Sequence, residues 1–360
     1  RFFILLGTLF IIIAGVLAVL RTPIDALPDL SDVQVIVYTE YPGQAPQVVE
    51  DQVTYPLTTA MLSVPKSKVV RGFSFFGASF VYIIFEDGTD IYWARQQVGE
   101  RLSAAMGNLP PGASGGMAPI TTPLGEIFMF TIESNTLSLM EKRDLLDWVI
   151  RPALRTVPGV ADVNALGGEA RTFEVVPDQL KMAANSVTLE ALRQVITANN
   201  SNDGAGRLDE GGESLLVREE GRIQTPDDLR AIVVGMRDGA VVRLGDVADV
   251  RIGALTRYGA VTRNGQGEAV EGLVLSLAGA NAREVVAGVK ARLLEVQPSL
   301  PAGTRLHVFY DRAHLVDKAV GTVAEALLEA TALVLVLLGL FLDNVRAAIT
   351  VAVILPLSAL

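Results

Sequence analysis

Hydrophobic positions follow three regimes along this chain. From Phe2 to Leu20 they are interrupted by no charge. At about 1.5 Å per helical residue the run reaches roughly 28 Å, close to the hydrocarbon thickness of a bilayer, and predicts a membrane-spanning helix. A cleaved signal peptide is the competing reading, but Leu17 to Thr22 lacks a small-x-small cleavage pattern. Val323 to Leu342 is the second run of spanning length, with Glu325 and Glu329 in its first turns. A polar link, Asp343-Asn344-Val345-Arg346, precedes a renewed apolar run from Ala347 to Leu360, and together they predict a helical hairpin in lipid. The expected layout is a span at 1–21, a second at 323–342 and the start of a third at 347–360, as in a segment of a longer multi-pass protein.

Between the spans the period of the pattern switches repeatedly. Val33 to Tyr41 alternates and predicts a strand, Pro46 to Leu62 has helical spacing, and Val69 to Glu86 predicts a strand pair turning near Gly77. Asp90 to Met106 predicts a helix that Leu109-Pro110-Pro111-Gly112 terminates. The rhythm then recurs: strand Ile127 to Ile132, helix Leu139 to Val157, a strand pair Val160 to Val176 around Gly167-Gly168, and helix Leu189 to Ala198.

A local echo supports internal duplication. Ala94-Arg95 and Val98 lead to Leu109-Pro110-Pro111-Gly112, and Ala282-Arg283 and Val286 lead to Leu300-Pro301-Ala302-Gly303. Two split β-α-β units are the natural reading. Asn199 to Leu277, rich in Gly, Asp, Glu and Asn, reads as an insertion with short strands at Ser214 to Val217, Val241 to Leu244 and Leu273 to Leu277, of the kind that contacts a partner. Helix Ala280 to Val296 and strand Arg305 to Tyr310 complete the interrupted unit.

Composition narrows the function. The formal net charge of −10 argues against nucleic acid as a partner; an acidic water-facing domain concentrates cations, although an ordinary solvated surface produces the same balance. With no cysteine, disulfides and thiolate metal sites are excluded. The two histidines, His307 in a strand and His314 at a helix start, read as ordinary satisfied residues. No Gly-Lys-Ser/Thr phosphate loop occurs, so ATP hydrolysis has no support, and no nucleophile, base and orienting acid assemble from local motifs.

Several stretches carry a more specific signal. Thr22-Pro23-Ile24-Asp25-Ala26-Leu27-Pro28-Asp29-Leu30-Ser31-Asp32-Val33-Gln34-Val35, Tyr41-Pro42-Gly43-Gln44-Ala45-Pro46, Phe85-Glu86-Asp87-Gly88-Thr89-Asp90 with Trp93-Ala94-Arg95, and Tyr310-Asp311-Arg312 resemble the heavy-metal branch of the resistance-nodulation-division efflux pumps. The likeness extends over essentially the whole chain. It implies a fold that is membrane α-helical plus α+β: transmembrane helices flanking a periplasmic porter domain of two ferredoxin-like subdomains with an inserted docking element. The implied boundaries are 1–21 for the first span, 22–122 for the first porter subdomain, 123–198 for the first part of the second, 199–277 for the docking insertion, 278–322 for completion of the second and its link to the membrane, and 323–342 and 347–360 for the later spans. It further implies a trimeric, proton-driven exporter in the Gram-negative inner membrane, working with a periplasmic adaptor and an outer-membrane channel. The transported cation is then cargo, and no resident cofactor is expected.

Through the same resemblance, to the cobalt-zinc-cadmium type of pump, Glu126 in Pro123-Leu124-Gly125-Glu126-Ile127-Phe128 and Asp162 in Val160-Ala161-Asp162-Val163 are the candidate transient metal ligands. Zinc usually takes about four ligands, so two carboxylates are an incomplete set. Asp25, Asp29 and Asp32 read chiefly as turn and cap residues around the prolines. Glu325 and Glu329 read as snorkelling carboxylates rather than a proton relay. The seven methionines, Met61, Met106, Met117, Met129, Met140, Met182 and Met236, are scattered. That tilts the reading toward zinc, cobalt, nickel or cadmium and away from Cu(I) or Ag(I), which prefer thioethers. The remaining alternatives are a multidrug pump of the same superfamily, which predicts an aromatic cleft, and a membrane-anchored periplasmic interaction protein.

Overall fold

The computed structural model describes residues 2–21, 29–200, 203–210, 213–219, 221–237 and 239–342. Helix α1, Phe2–Arg21, is apolar on all sides, and Phe2, Phe3 and Phe10 are exposed. Its strongly apolar part is Leu6–Gly15. The expected third span, the Asp343 to Arg346 link and Asp25 lie outside the described residues.

The first repeat runs β1 (Gln34–Glu40), α2 (residues 46–61), β2 (Ser67–Phe75), β3 (Ala78–Phe85), α3 (Ile91–Met106) and β4 (Ser114–Met117). Its antiparallel sheet has the order β2-β3-β1-β4. Alternation in β1 and β3 sends Val35, Val37, Val81, Ile83 and Phe85 to one side, where Val49, Val53, Leu57 and Met61 of α2 and Ala94, Val98 and Leu102 of α3 close the core. Asp90 starts α3 by accepting the Trp93 amide at 2.7 Å. Gly77, at φ +71°, makes the tight turn between β2 and β3. Strand β4 has too little hydrophobic pattern, as Ser-Gly-Gly-Met, to be read in advance.

The second repeat runs β5 (Glu126–Glu133), α4 (residues 139–154) and β6 (Val160–Gly167), and resumes much later. Both α2 and α4 contain a π turn, Glu50–Thr54 and Leu146–Ile150. Each is followed at the same spacing by a proline, Pro56 or Pro152, whose ring and missing N–H displace the regular i→i−4 bond. A shared irregularity of this kind is stronger support for duplication than a shared pattern.

The strand pair expected from Val160 to Val176 is not a hairpin. β6 leaves at Gly167, and the next strand, β7 (Arg171–Pro177), pairs with a different sheet. Gly167 and Gly168 both have positive φ, and a Cβ at Gly167 would meet Val261 and the Ala269 carbonyl, so this crossing is built for glycine. There follow α5 (Gln179–Ala184), α6 (Leu189–Ala198), β8 (Asp203–Glu210), β9 (Glu213–Glu219), α7 (Pro226–Ala231), β10 (Val233–Arg237), β11 (Ala240–Arg243), α8 (Leu244–Val247), β12 (Ala248–Ala254) and β13 (Val261–Thr262). β7 pairs with β12, β8 with β9 and β10 with β11, all antiparallel. Leu192 of α6 is buried with Met182, Leu229, Val242, Leu244, Val247 and Val250. Helix Leu189 to Ala198, read from sequence with the second porter unit, therefore packs with the residues that follow it. Contacts divide the chain into two compact units, Arg1–Asn135 with Leu146–Leu166 and Glu271–Leu360, and Thr136–Leu145 with Gly167–Val270.

The second repeat resumes with β14 (Glu268–Ser276), α9 (Ala282–Val296) and β15 (Arg305–Asp311). β14 was expected inside the insertion from Leu273, but it lies beside β5 in the sheet β6-β14-β5-β15, with β13 on the outer part of β14. This is the first repeat's order again, second, third, first, fourth. The insertion occupies the place of the Gly77 turn.

Helix α10, Arg312–Leu342, is continuous over 31 residues. It starts eleven residues before the expected span because Asp311 caps it, accepting the His314 amide at 3.3 Å, and nothing after it breaks the helix. Among the described residues, one helix, Arg312–Leu338, is long and apolar enough to cross a membrane. Glu325 and Glu329 are exposed on it.

Candidate cation site

Glu126 owes its position to a turn and a bulge. Pro123–Gly125 form a single 3-10 turn, and Glu126 opens β5. Leu275 of β14 stands opposite Glu126 while the adjacent Val274 stands opposite Phe128. Ile127 is thus an extra residue, and it switches Glu126 to the face opposite that of Phe128 and Phe130. Phe128 and Phe130 are fully buried, and Asp311, in register with Phe128, pairs with Lys290 of α9. Theirs is the helix-covered face; Glu126 stands exposed on the other.

The turn before Glu126 is fastened from several sides. The Gly125 amide donates to the Thr122 carbonyl at 2.8 Å, and the Ser276 hydroxyl donates to the Gly125 carbonyl at 3.4 Å. A Cβ at the buried Gly125 would collide with Thr121. Arg312, the first residue of α10 and only 3% exposed, donates to the Leu124 carbonyl. The Thr122 hydroxyl donates to Asp29 at 2.8 Å, and the Ser31 amide donates to the same carboxylate at 3.0 Å. Burial works against ionisation of Asp29, but the Ser31 and Thr122 hydrogen bonds and the Arg312 charge outweigh it and hold the carboxyl below its usual range. The turn that carries Glu126 is therefore tied directly to the start of the membrane-length helix.

Asp162 is placed differently. Its side chain, 13% exposed on the edge strand β6, is paired with Arg151 at 3.1 Å and Arg155 at 3.3 Å. It also accepts the Val163 amide at 2.7 Å. Both arginines come from the end of α4, and Arg151 lies 3.9 Å from Asp147 as well. Among the described residues no contact brings Asp162 and Glu126 together, and no three His, Asp or Glu side chains stand in metal-binding geometry.

Cross-strand register identifies the companions of Glu126 on the face turned away from α4 and α9. Glu271 and His307 stand on either side of Thr131, Leu273 and Tyr310 on either side of Met129, and Arg305 beside Glu133. His307 Nδ1 lies 3.9 Å from Glu133 Oε1. Burial and the neighbouring Glu126 charge push the Glu271 carboxyl above its usual range. Sequence reading passed over Glu271 and set His307 aside as an ordinary satisfied residue, because the only local sign of either is its place in an alternating strand. The methionines mostly pack: Met61, Met106 and Met117 belong to the core of the first repeat and Met182 to that of the second unit, whereas Met129 lies half-buried on the face of Glu126 and Met236 is exposed.

Known proteins share this sequence and architecture. The family model of the AcrB/AcrD/AcrF family matches residues 1–360. The cation efflux system protein CusA of Escherichia coli strain K12 is 45% identical over 99% of this chain and 34% of its own length. The cobalt-zinc-cadmium resistance protein CzcA of Cupriavidus metallidurans is 40% identical over 100% of this chain and 35% of its own. A crystal structure of a heavy metal efflux pump superposes with a TM-score of 0.90 at 35% identity, covering 99% of this chain and 36% of that one. The chain thus spans about a third of the length of these relatives. Two repeats of one split β-α-β order, an insertion at the same hairpin of the second, and an apolar helix leaving the last strand agree with those matches along the whole sequence: the chain belongs to the AcrB/AcrD/AcrF family, in its heavy-metal efflux branch.

Proposed function

We propose that the protein to which this segment belongs is a proton-driven exporter of divalent heavy-metal cations in the Gram-negative inner membrane, with zinc, cobalt, nickel or cadmium as cargo. It would work as a trimer with a periplasmic adaptor and an outer-membrane channel, and this segment would supply two porter subdomains and a docking element. The observation that carries the reading is the exposed Glu126 carboxylate, fixed on the face of the second sheet opposite its helices and tied through its turn to Arg312 of α10. Carboxylates suit divalent ions, and an exposed one exchanges its cargo readily. The name of the CzcA relative, a cobalt-zinc-cadmium resistance protein, points the same way.

In this reading Glu126 receives the cation first. Asp162 joins as a ligand only when Arg151 and Arg155 release it, which makes the arginine pair a competitor for the ion. The test is metal resistance in a pump-deleted host carrying the full-length gene, with Glu126→Gln and Asp162→Asn in parallel and membrane protein levels matched. Loss of zinc and cobalt resistance in Glu126→Gln is expected. Resistance equal to the parent would remove Glu126 from the transport path.

One observation favours a second reading, Cu(I) or Ag(I) as cargo: the Met129 thioether lies on the same face as Glu126. It predicts copper and silver resistance that Met129→Leu lowers, with no response to zinc or cobalt.

A further inference from the structure

Three strands distant in sequence bring Glu271, Thr131 and His307 into one row across the second sheet, in direct register on the face that carries Glu126. The middle member carries a buried hydroxyl without a partner, a condition it shares with Thr39 and Thr304, of which it alone stands between a carboxylate and an imidazole. Thr131 is 4% exposed, and its hydroxyl oxygen has no hydrogen-bond partner among the described residues. A buried hydroxyl left this way costs on the order of 1–3 kcal/mol, and such a cost is commonly retained where a ligand or bound water supplies the missing bond.

The flanking residues have the chemistry to supply one. Adjacent strands lie about 4.8 Å apart, so the Glu271 and His307 backbones stand roughly 10 Å from each other with the short threonine between them. A carboxylate and an imidazole that each lean inward over a small residue can converge on one ion at bond lengths of about 2 Å. His307 is half-exposed, and its Nδ1 is within 3.9 Å of the Glu133 carboxylate, a second-layer acceptor that would orient the ring for metal binding through Nε2.

We propose that Glu271 and His307, with the Thr131 hydroxyl holding a metal-bound water between them, form a cation station of their own for a borderline divalent ion, separate from Glu126. Two protein donors completed by water make a weak site, suited to an ion that must move on. Soft monovalent ions would find no thioether in this row. The inference deepens the proposed function and rests on it for its physiological meaning, but binding can be read independently of export.

The experiment uses the purified full-length protein, with Co²⁺ alone as the probe. Its visible absorption and its X-ray absorption edge report affinity and imidazole ligation. His307→Ala and Glu271→Gln are each expected to weaken one Co²⁺ site about tenfold and, in combination, to do little more than either alone, because both hold the same ion. The imidazole scattering of that site should vanish in His307→Ala. Thr131→Val should weaken the same site by a smaller factor at unchanged imidazole ligation. Co²⁺ binding equal to the parent in a folded His307→Ala or Glu271→Gln protein would overturn the proposal, as would additive losses from the two. Normal Co²⁺ binding by these variants combined with loss of resistance in Glu126→Gln would refute the station and leave the exporter reading standing. The predicted Co²⁺ losses in a protein that confers no metal resistance would support the station and refute the exporter.

Discussion

Replacing Arg312 with methionine tests how the Glu126 turn is held. The guanidinium is 3% exposed and donates to the Leu124 carbonyl, and its charge acts on Asp29, which also holds Thr122. A hydrogen bond from a charged donor contributes about 1.5–3 kcal/mol, and the orphaned carbonyl adds a desolvation cost. Against this, methionine spares the protein the burial of a charge. The net loss should be about 2 kcal/mol, and it should fall locally, on residues 121–126. Since about 1.4 kcal/mol is a factor of ten, hydrogen exchange at the Gly125 amide, now bonded to Thr122 at 2.8 Å, should accelerate about 30-fold. The assay is exchange with mass spectrometry on the full-length protein, following peptides over residues 118–128 and, as an internal reference, over 179–198. Arg312→Lys keeps the charge but not the fork of donors, and should fall between parent and methionine. Exchange over 118–128 unchanged in Arg312→Met, or accelerated equally in both regions, would refute the idea that Arg312 secures this turn.

Other outcomes follow from the same geometry. Glu271→Gln should stabilise the apo protein at neutral pH: a carboxyl whose folded pKa is raised costs stability as pH climbs past its ordinary value of 4.5, and below that value parent and variant should melt alike. Asp29→Asn should have the opposite profile, because a carboxyl held below its ordinary value of 3.8 contributes stability above that pH and loses it as pH falls through the lowered value; parent and variant melts should converge in acid. Asp162→Asn should lower the melting midpoint modestly, by the equivalent of about 1–2 kcal/mol, since the arginine partners, at 32% and 56% exposure, are partly screened by water. Gly272→Ala should destabilise by about 1–3 kcal/mol, read as a lower melting midpoint, because the new methyl would overlap the buried Phe130 ring across the strand pair.

Much of this protein was legible in its pattern of residues. Period and punctuation located β1, α3 with its Asp90 cap, β5, α6, α9 and β15 within a few positions, because these signals are local: alternation, a capping carboxylate, a proline or glycine stop. Duplication was legible too, in the echoed helix ends. Tertiary structure decided what local signals cannot carry. Val160 to Val176 looks like a hairpin in one dimension, yet its strands belong to different sheets, because pairing is chosen by which partners can bury the apolar face. Alternation predicts a side only along an unbroken strand, so the bulge at Ile127, which turns Glu126 outward, had no local sign. Asp162 could be found as a carboxylate, but its capture by Arg151 and Arg155 depends on how α4 returns against β6. The row Glu271, Thr131 and His307 is assembled from residues far apart in the chain, and only register across three strands, a property of the folded sheet, makes neighbours of them.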